Sequence, residues 1–187
     1  LQNNTPDFLV PRAEIGRALE RGIPDEKLHA INAGETLQLT GDIGLEAVAS
    51  AHEELEKDAQ GNYKYLGYII STGGLRLYHS GDTVPYPALE RRITEKNIDV
   101  ALLPINGRDE FRRSRGVPGN FTLEEAIQFC HATNIPTLVG HHFEMFDFNT
   151  IDRGRASTIL EQQAGPLNWV LPEIGVTYRI IKEIVKQ

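Results

Sequence analysis

Cysteine is almost absent from this chain. Cys130 stands alone among 187 residues, so no intrachain disulfide can form. It lies in a helical pattern and reads as a buried, inert thiol rather than a nucleophile or a ligand. Methionine is equally scarce: Met145 is the single one, and residue 1 is leucine. A translated chain starts with methionine, which is not normally trimmed before a bulky leucine, and no basic and apolar signal segment is visible. The chain is therefore expected to be a fragment, or a mature product, of something longer. No apolar run approaches the roughly 20 residues that span a bilayer, so no association with the membrane is expected. Positive charge is in deficit, with 19 Lys and Arg against 26 Asp and Glu and a net charge of −7. That balance speaks against a broad nucleic-acid face, while leaving room for a local basic pocket. The expected location is cytoplasmic.

What is present is ordinary for a globular protein: 40% hydrophobic and 24% charged residues, in a length that suits one domain with a sizeable core. No linker, repeat or low-complexity segment divides it, so residues 1–187 are taken as a single domain. Phe8-Leu9-Val10-Pro11 reads as a short strand, and 12–21 as a helix with Ile15 and Leu19 on one face and Gly22 as its stop. Ala33-Gly34-Glu35 marks a turn within 28–39, consistent with a hairpin or a strand entry. Strands are expected at 45–51, 63–70 and 75–78, the last two joined by Ser71-Thr72-Gly73-Gly74, where glycines supply positive φ. The period then changes. A helix is expected at 87–96, and Val100-Ala101-Leu102-Leu103-Pro104-Ile105 has the continuous apolar character of a strand covered on both faces. Thr122 and Glu125 form a capping box opening a helix to about Thr133. A strand at 137–139, a helix at 153–163 and strands at 168–171 and 176–181 complete the chain. Hairpins followed by strand–helix alternation point to an α/β layered fold with helices packed outside sheets.

The chemistry-bearing residues sit just past the strands. Leu77-Tyr78-His79-Ser80-Gly81-Asp82-Thr83 delivers a carboxylate onto a glycine turn, and a carboxylate is rarely buried without a partner. His52 and His142 occupy similar positions. Neighbouring strands could bring His52, Asp82 and His142 to one sheet edge, where imidazole and carboxylate suit zinc, manganese or iron. The alternative is three unrelated surface or turn residues. His79 should face away from Ser80 in an alternating strand and reads as a supporting or structural residue. His141 and His142 are adjacent and cannot easily both face one metal from a strand. His29 and His131 read as solvated. The loop from Asn106 to Asn120 carries Arg108, Arg112, Arg113 and Arg115, whose forks suit phosphate or carboxylate. A solvated surface loop is the competing reading.

Five ordered features resemble the metallo-β-lactamase superfamily: His52 after a strand, Ser80-Gly81-Asp82-Thr83, Ile98-Asp99-Val100-Ala101-Leu102-Leu103-Pro104-Ile105, His142-Phe143-Glu144-Met145-Phe146, and Asn106-Gly107-Arg108-Asp109 with Arg115-Gly116 and Gly119-Asn120. The last is similar to the substrate loop of the L-ascorbate-6-phosphate lactonase branch. The resemblance runs from about Phe8 to the last strand. It implies an αββα sandwich, of which this chain would hold the end of the first half and all of the second. It implies that His52 completes a first metal position, that Asp82 bridges two metals or binds the second, and that His142 binds the second. The signature H-x-H-x-D-H, which carries the remaining ligands, is absent here and would lie upstream of Leu1.

The implied function is a metal-dependent hydrolase with two divalent ions, zinc or manganese, in the intact protein. A metal-activated water would attack a lactone or ester, such as one in a sugar phosphate. Asp82 is then catalytic as well as a ligand, and Asn106, Arg108, Arg115 and Asn120 are candidates for holding a small anionic substrate. A homo-oligomer is compatible with this reading. The rival expectations are a phosphodiesterase or nuclease of the same superfamily, and an inactive fragment or non-enzymatic module.

Overall fold

A computed structural model of the protein describes residues 6–181. Two sheets organise it. Strands β1 (Phe8–Pro11) and β2 (Leu28–Ile31) pair in parallel as a small two-stranded sheet, with helix α1 (Ile15–Glu20) between them. The main sheet has seven strands in chain order: β3 (Thr36–Gln38), β4 (Gly44–Ala49), β5 (Leu66–Thr72), β6 (Leu75–His79), β7 (Val100–Pro104), β8 (Thr137–His141) and β9 (Asn168–Val170). The first four are antiparallel neighbours, and from β6 onward every pair is parallel.

The change in pairing follows from the connections. β5 and β6 are joined by the hairpin expected at Gly73 and Gly74, whose φ values are 54° and 77°. Parallel strands need long crossovers, usually helical. These are α2 (Pro87–Thr94), then α3 (Glu110–Arg113) with α4 (Leu123–Ala132), then α5 (Arg153–Gln163). α2 starts on a proline whose missing N–H costs nothing at that position, and it buries Leu89 and Ile93, four residues apart. The α4 box forms as expected: the Thr122 hydroxyl accepts from the Glu125 N–H and the Glu125 carboxylate from the Thr122 N–H.

All three longer helices pack on one face of the main sheet. Val48, Ile69, Tyr78, Ala101, Leu103 and Leu138 point into that layer against Leu89, Ile93, Leu123, Ile127, Phe129 and Leu160. Cys130 is buried there, and burial pushes its thiol pKa up to about 12, so it stays protonated and inert. Pairing register puts Tyr68, His79, Leu102, Val139 and Val170 together on the opposite face. The β1–β2 pair covers only its β4–β5 end, through Leu9 and Ile31 against Ala47 and Leu66.

Three expectations are corrected and one open alternative is decided. Residues 176–181 are alternating and β-branched but form no strand; their apolar residues, including Ile181 at 71% exposure, have no partner strand among the described residues. Of the two readings of the Gly34 turn, strand entry holds: it leads into β3, while β2 and β3 belong to different sheets and form no hairpin. In α1 the buried position is Ala18, while Leu19 is exposed, since the short helix presents only one small residue inward. The 106–120 loop contains a helical turn, α3, capped by the Asp109 carboxylate accepting from the Arg112 N–H. No helix among the described residues is long and apolar enough to cross a membrane.

Candidate metal centre

The strand directions decide which loops meet. β4 and β6 each run antiparallel to β5, so they point the same way, and β7 and β8 run parallel to β6. Residues following β4, β6, β7 and β8 therefore emerge at one carboxyl edge, where open α/β sheets hold ligands. His52 follows β4, Asp82 follows β6, Asn106 follows β7 and His142 follows β8. Four residues that lie up to 90 positions apart are delivered to one side of the molecule by topology alone.

Asp82 and His142 are brought together. The His142 Nε2 lies 3.3 Å from Asp82 Oδ2, with Asp82 less enclosed than His142. The His142 imidazole holds the Asp82 carboxyl below the usual carboxylate range, against the opposing pull of desolvation, and His52 and His141 add to the same positive field. Reciprocally, Asp82 raises the pKa of His142. His52 reaches the same edge but packs its ring edge-on against Tyr65, centroids 5.2 Å apart.

The supporting bonds tie these turns to one another. Buried Thr83 accepts from the Ala51 N–H at 2.9 Å, and the Val84 N–H returns to the Ala51 carbonyl at 2.8 Å, so the His52 and Asp82 turns are pinned side by side. Glycine is required at the crossing points. A Cβ at Gly67 would stand 2.6 Å from the Ser80 carbonyl oxygen, and one at Gly81 would stand 2.9 Å from that of Leu66. Three non-glycine residues with φ near +60 to +75° flank the site: Glu53, His142 and Glu144. Such backbone costs about 1–3 kcal/mol each and persists only where the surroundings over-determine it. Here they do. Glu53 accepts from the Gly119 N–H and Arg113, and Glu144 donates its N–H to Thr150 and pairs with Arg153, which also grips the Leu171 and Pro172 carbonyls.

His79 lies at the exposed end of β6, while Ser80 beside it is fully buried, as the alternation implies. Its ring stacks on His141, centroids 4.7 Å apart. Burial lowers the pKa of both, that of His141 to about 4, and His141 Nε2 is buried without a hydrogen-bond partner. His29 and His131 are exposed; His29 lies 3.5 Å from Asp7.

The proposed substrate residues are placed in the same loop but committed inward. Asn106 and Asn120 are buried and bonded to each other, and Asn106 also donates to Asn149. The Arg108 fork is bidentate on Glu125 at 2.6 Å for both bonds. Arg115 is exposed, its guanidinium lying 3.6 Å above the Phe111 ring centroid. Arg112, one of the four loop arginines expected to suit anions, is nearly enclosed and instead holds Asp109, Asn149 and the Asn106 carbonyl. Sequence reasoning did not find Glu53, Thr83 or Arg153; adjacency to His52 and Asp82 was the available signal for the first two. A cavity of about 390 Å³ borders this loop, lined by Asn106, Arg108, Arg112, Phe148 and Arg155. Neither Asp82 nor His142 lines it.

A carboxylate oxygen and an imidazole nitrogen side by side are donors that zinc or manganese accepts. Among the described residues, however, no group of three or more His, Cys, Asp or Glu is arranged to hold a metal ion. Asp82 and His142 fit part of a donor set.

Comparison with known proteins agrees with this architecture. The model of the beta-lactamase superfamily domain matches residues 3–143. A UPF0173 metal-dependent hydrolase of Myxococcus xanthus is 26% identical over 164 residues, covering 83% of this chain and 54% of that protein. One from Archaeoglobus fulgidus is 33% identical over 108 residues, covering 56% and 45%. The chain thus spans about half the length of these relatives. Among solved structures, the metallo hydrolase Igni18 of Ignicoccus hospitalis superposes with a TM-score of 0.68 at 21% identity, over 94% of this chain and 70% of that one. An isothiocyanate hydrolase from Delia radicum gut bacteria gives 0.71 at 17%, over 93% and 67%. At these identities the structures share the fold.

Proposed function

Because this chain belongs to the metallo-β-lactamase superfamily, we propose that it forms part of a metal-dependent hydrolase in which Asp82, His142 and His52 contribute metal ligands. The observation that carries this reading is the 3.3 Å convergence of Asp82 and His142 at the carboxyl edge, with His52 pinned beside them through Ala51 and Thr83. The relatives named as metal-dependent hydrolases support the reaction class.

The chemistry available at such a site, with a divalent ion bound, is a water of lowered pKa and a polarised electrophilic oxygen. This chain's residues set the conditions for it. Asp82, held ionised by its neighbour, offers an anionic oxygen at neutral pH. His142 must release the proton that Asp82 favours before its Nε2 can act as a donor, so occupancy competes with protons. The strained His142 turn, braced through Glu144 and Arg153, holds that nitrogen in place without relying on a ligand.

We assign the substrate class as a small molecule bearing an anionic group beside a lactone or ester, such as a sugar phosphate, with zinc or manganese as the ions and two of them in the assembled site. Arg115 presents its guanidinium to solvent, while Arg108 would have to leave Glu125 to reach a ligand. The reading places the protein in the cytoplasm and allows a homo-oligomer. Asp82→Ala is expected to abolish metal retention and activity, assayed by elemental analysis and an ester and lactone panel, while the circular dichroism spectrum is kept. Unchanged metal content would remove the assignment.

One observation favours a second reading, an inactive fragment or non-enzymatic module: no three-ligand group is assembled among the described residues. Metal analysis of this chain beside a version extended to the length of the relatives separates the two. Hydrolysis by the 187-residue chain alone would eliminate the second reading.

A further inference from the structure

Two turns carry the Asp82–His142 pair, and one side chain outside the pair touches both. His79 is the last residue of β6, two positions before Gly81 and three before Asp82. Its Nδ1 accepts the Gly81 N–H at 3.1 Å, across a turn in which Gly81 adopts φ 64°. Its ring also stacks on His141, the residue directly before His142, with centroids 4.7 Å apart and planes 27° from parallel. β6 and β8 are separated by β7, a spacing of about 9–10 Å between strands. The rings therefore lean toward one another over β7. Their contact is not imposed by the register.

The surrounding backbone leaves this bond a specific task. Ser80 is held from one side, its carbonyl accepting from the Ser50 hydroxyl, and Thr83 is held from the other by Ala51. Between these anchors Gly81 has no side chain to restrain it, and glycine samples positive and negative φ with similar ease. The Gly81 carbonyl accepts from the Ser80 hydroxyl at 2.7 Å, and the bond from the Gly81 N–H to His79 restrains the other side of that residue. The His79 bond stands one peptide from Asp82.

We propose that His79 is a positioning residue that fixes the Gly81 turn through its Nδ1, and so sets the aim of the Asp82 carboxylate toward His142. The stacked His141 ring keeps the His79 imidazole in the rotamer that makes the bond. This inference rests on reading Asp82 and His142 as metal donors. Groups that orient a ligand without touching the metal typically change affinity by about 10–100-fold when removed.

The test uses the protein at its full natural length, with zinc and manganese salts alone as probes, titrated calorimetrically after chelator treatment. His79→Phe keeps a flat ring over His141 but has no acceptor. His79→Asn loses the ring but can place an oxygen close to where Nδ1 stands. The expected result is a loss of about tenfold or more in metal affinity for His79→Phe, recovered in large part by His79→Asn. The metal-free melting temperature should stay near that of the parent in both. Parent-like affinity in His79→Phe overturns the proposal. So does a parallel fall of affinity and metal-free melting temperature in both variants, which marks a purely structural residue. Asp82→Ala, run alongside, isolates the underlying reading: retained metal there defeats the metal assignment itself, whereas lost metal there with parent-like His79→Phe defeats only the positioning role.

Discussion

The two faces of the seven-stranded sheet are built from the same strands and behave differently. One face is sealed by three helices and lined by residues such as Leu103, Ile93 and Leu138, each at 1% exposure or less. The other carries half-exposed Tyr68, Ile70, Leu77, Leu102 and Val139 and, among the described residues, is covered by the β1–β2 pair at one end alone. His79 and His141 stand on this second face, at the carboxyl edge. Burial of a full apolar side chain is worth about 1.5–3 kcal/mol, so most of the hydrophobic stabilisation comes from the helix side. The second face can then carry imidazoles and a buried nitrogen without a partner, because less of the apolar burial rests on it.

Four substitutions sharpen or break that contrast. The largest effect is expected from Leu103→Ala, which empties a site sealed by helices and should cost about 2–5 kcal/mol in denaturant unfolding. Leu102→Ala, one residue along on the half-exposed face, should cost less than half as much. Equal losses would mean the second face is as tightly packed as the first. The next effect concerns how α4 is attached. Burial raises the Glu125 pKa, but the Arg108 fork and the Thr122 N–H outweigh it and hold it below its ordinary value. A lowered folded pKa contributes stability above the unfolded value, about 4.3, and that stability is lost as pH falls through the folded one. Glu125→Gln should cost about 1–2 kcal/mol at pH 7, allowing for partial exposure of the pair. The gap from the parent should shrink in melts between pH 5 and 3, as an order-of-magnitude window. A gap that stayed constant would show that the pair's charge contributes nothing. The smallest effect is expected from Tyr78→Phe. The Tyr78 hydroxyl is buried without a partner in the helix-covered layer, so its removal should be neutral or stabilise by about 1 kcal/mol. Destabilisation would reveal a hydrogen-bonding role for that oxygen.

Much of the architecture was legible in local chemistry. The Gly73-Gly74 hairpin, the Thr122–Glu125 box and the proline start of α2 each rest on interactions between residues a few positions apart; the apolar run gave strand β7, but not cover on both faces, since Leu102 is half-exposed. Local pattern also misled. Residues 176–181 have strand composition, but a strand needs a partner, and partnership is not a local property. The loop arginines show the same gap. Spacing identifies Arg108 as a fork suited to anions, yet Glu125, seventeen residues on, occupies that fork once α4 docks.

The order of residues along the chain was enough to specify most of the elements, the family and the candidates His52, Asp82 and His142, because periodicity, turn residues and motifs are all short-range. Pairing direction brought those candidates to a single edge, and side-chain packing then sorted them. It joined Asp82 to His142, set His52 against Tyr65 and stacked His79 on His141. Such contacts link residues 13 to 62 positions apart, and no local energy favours them until the sheet has formed.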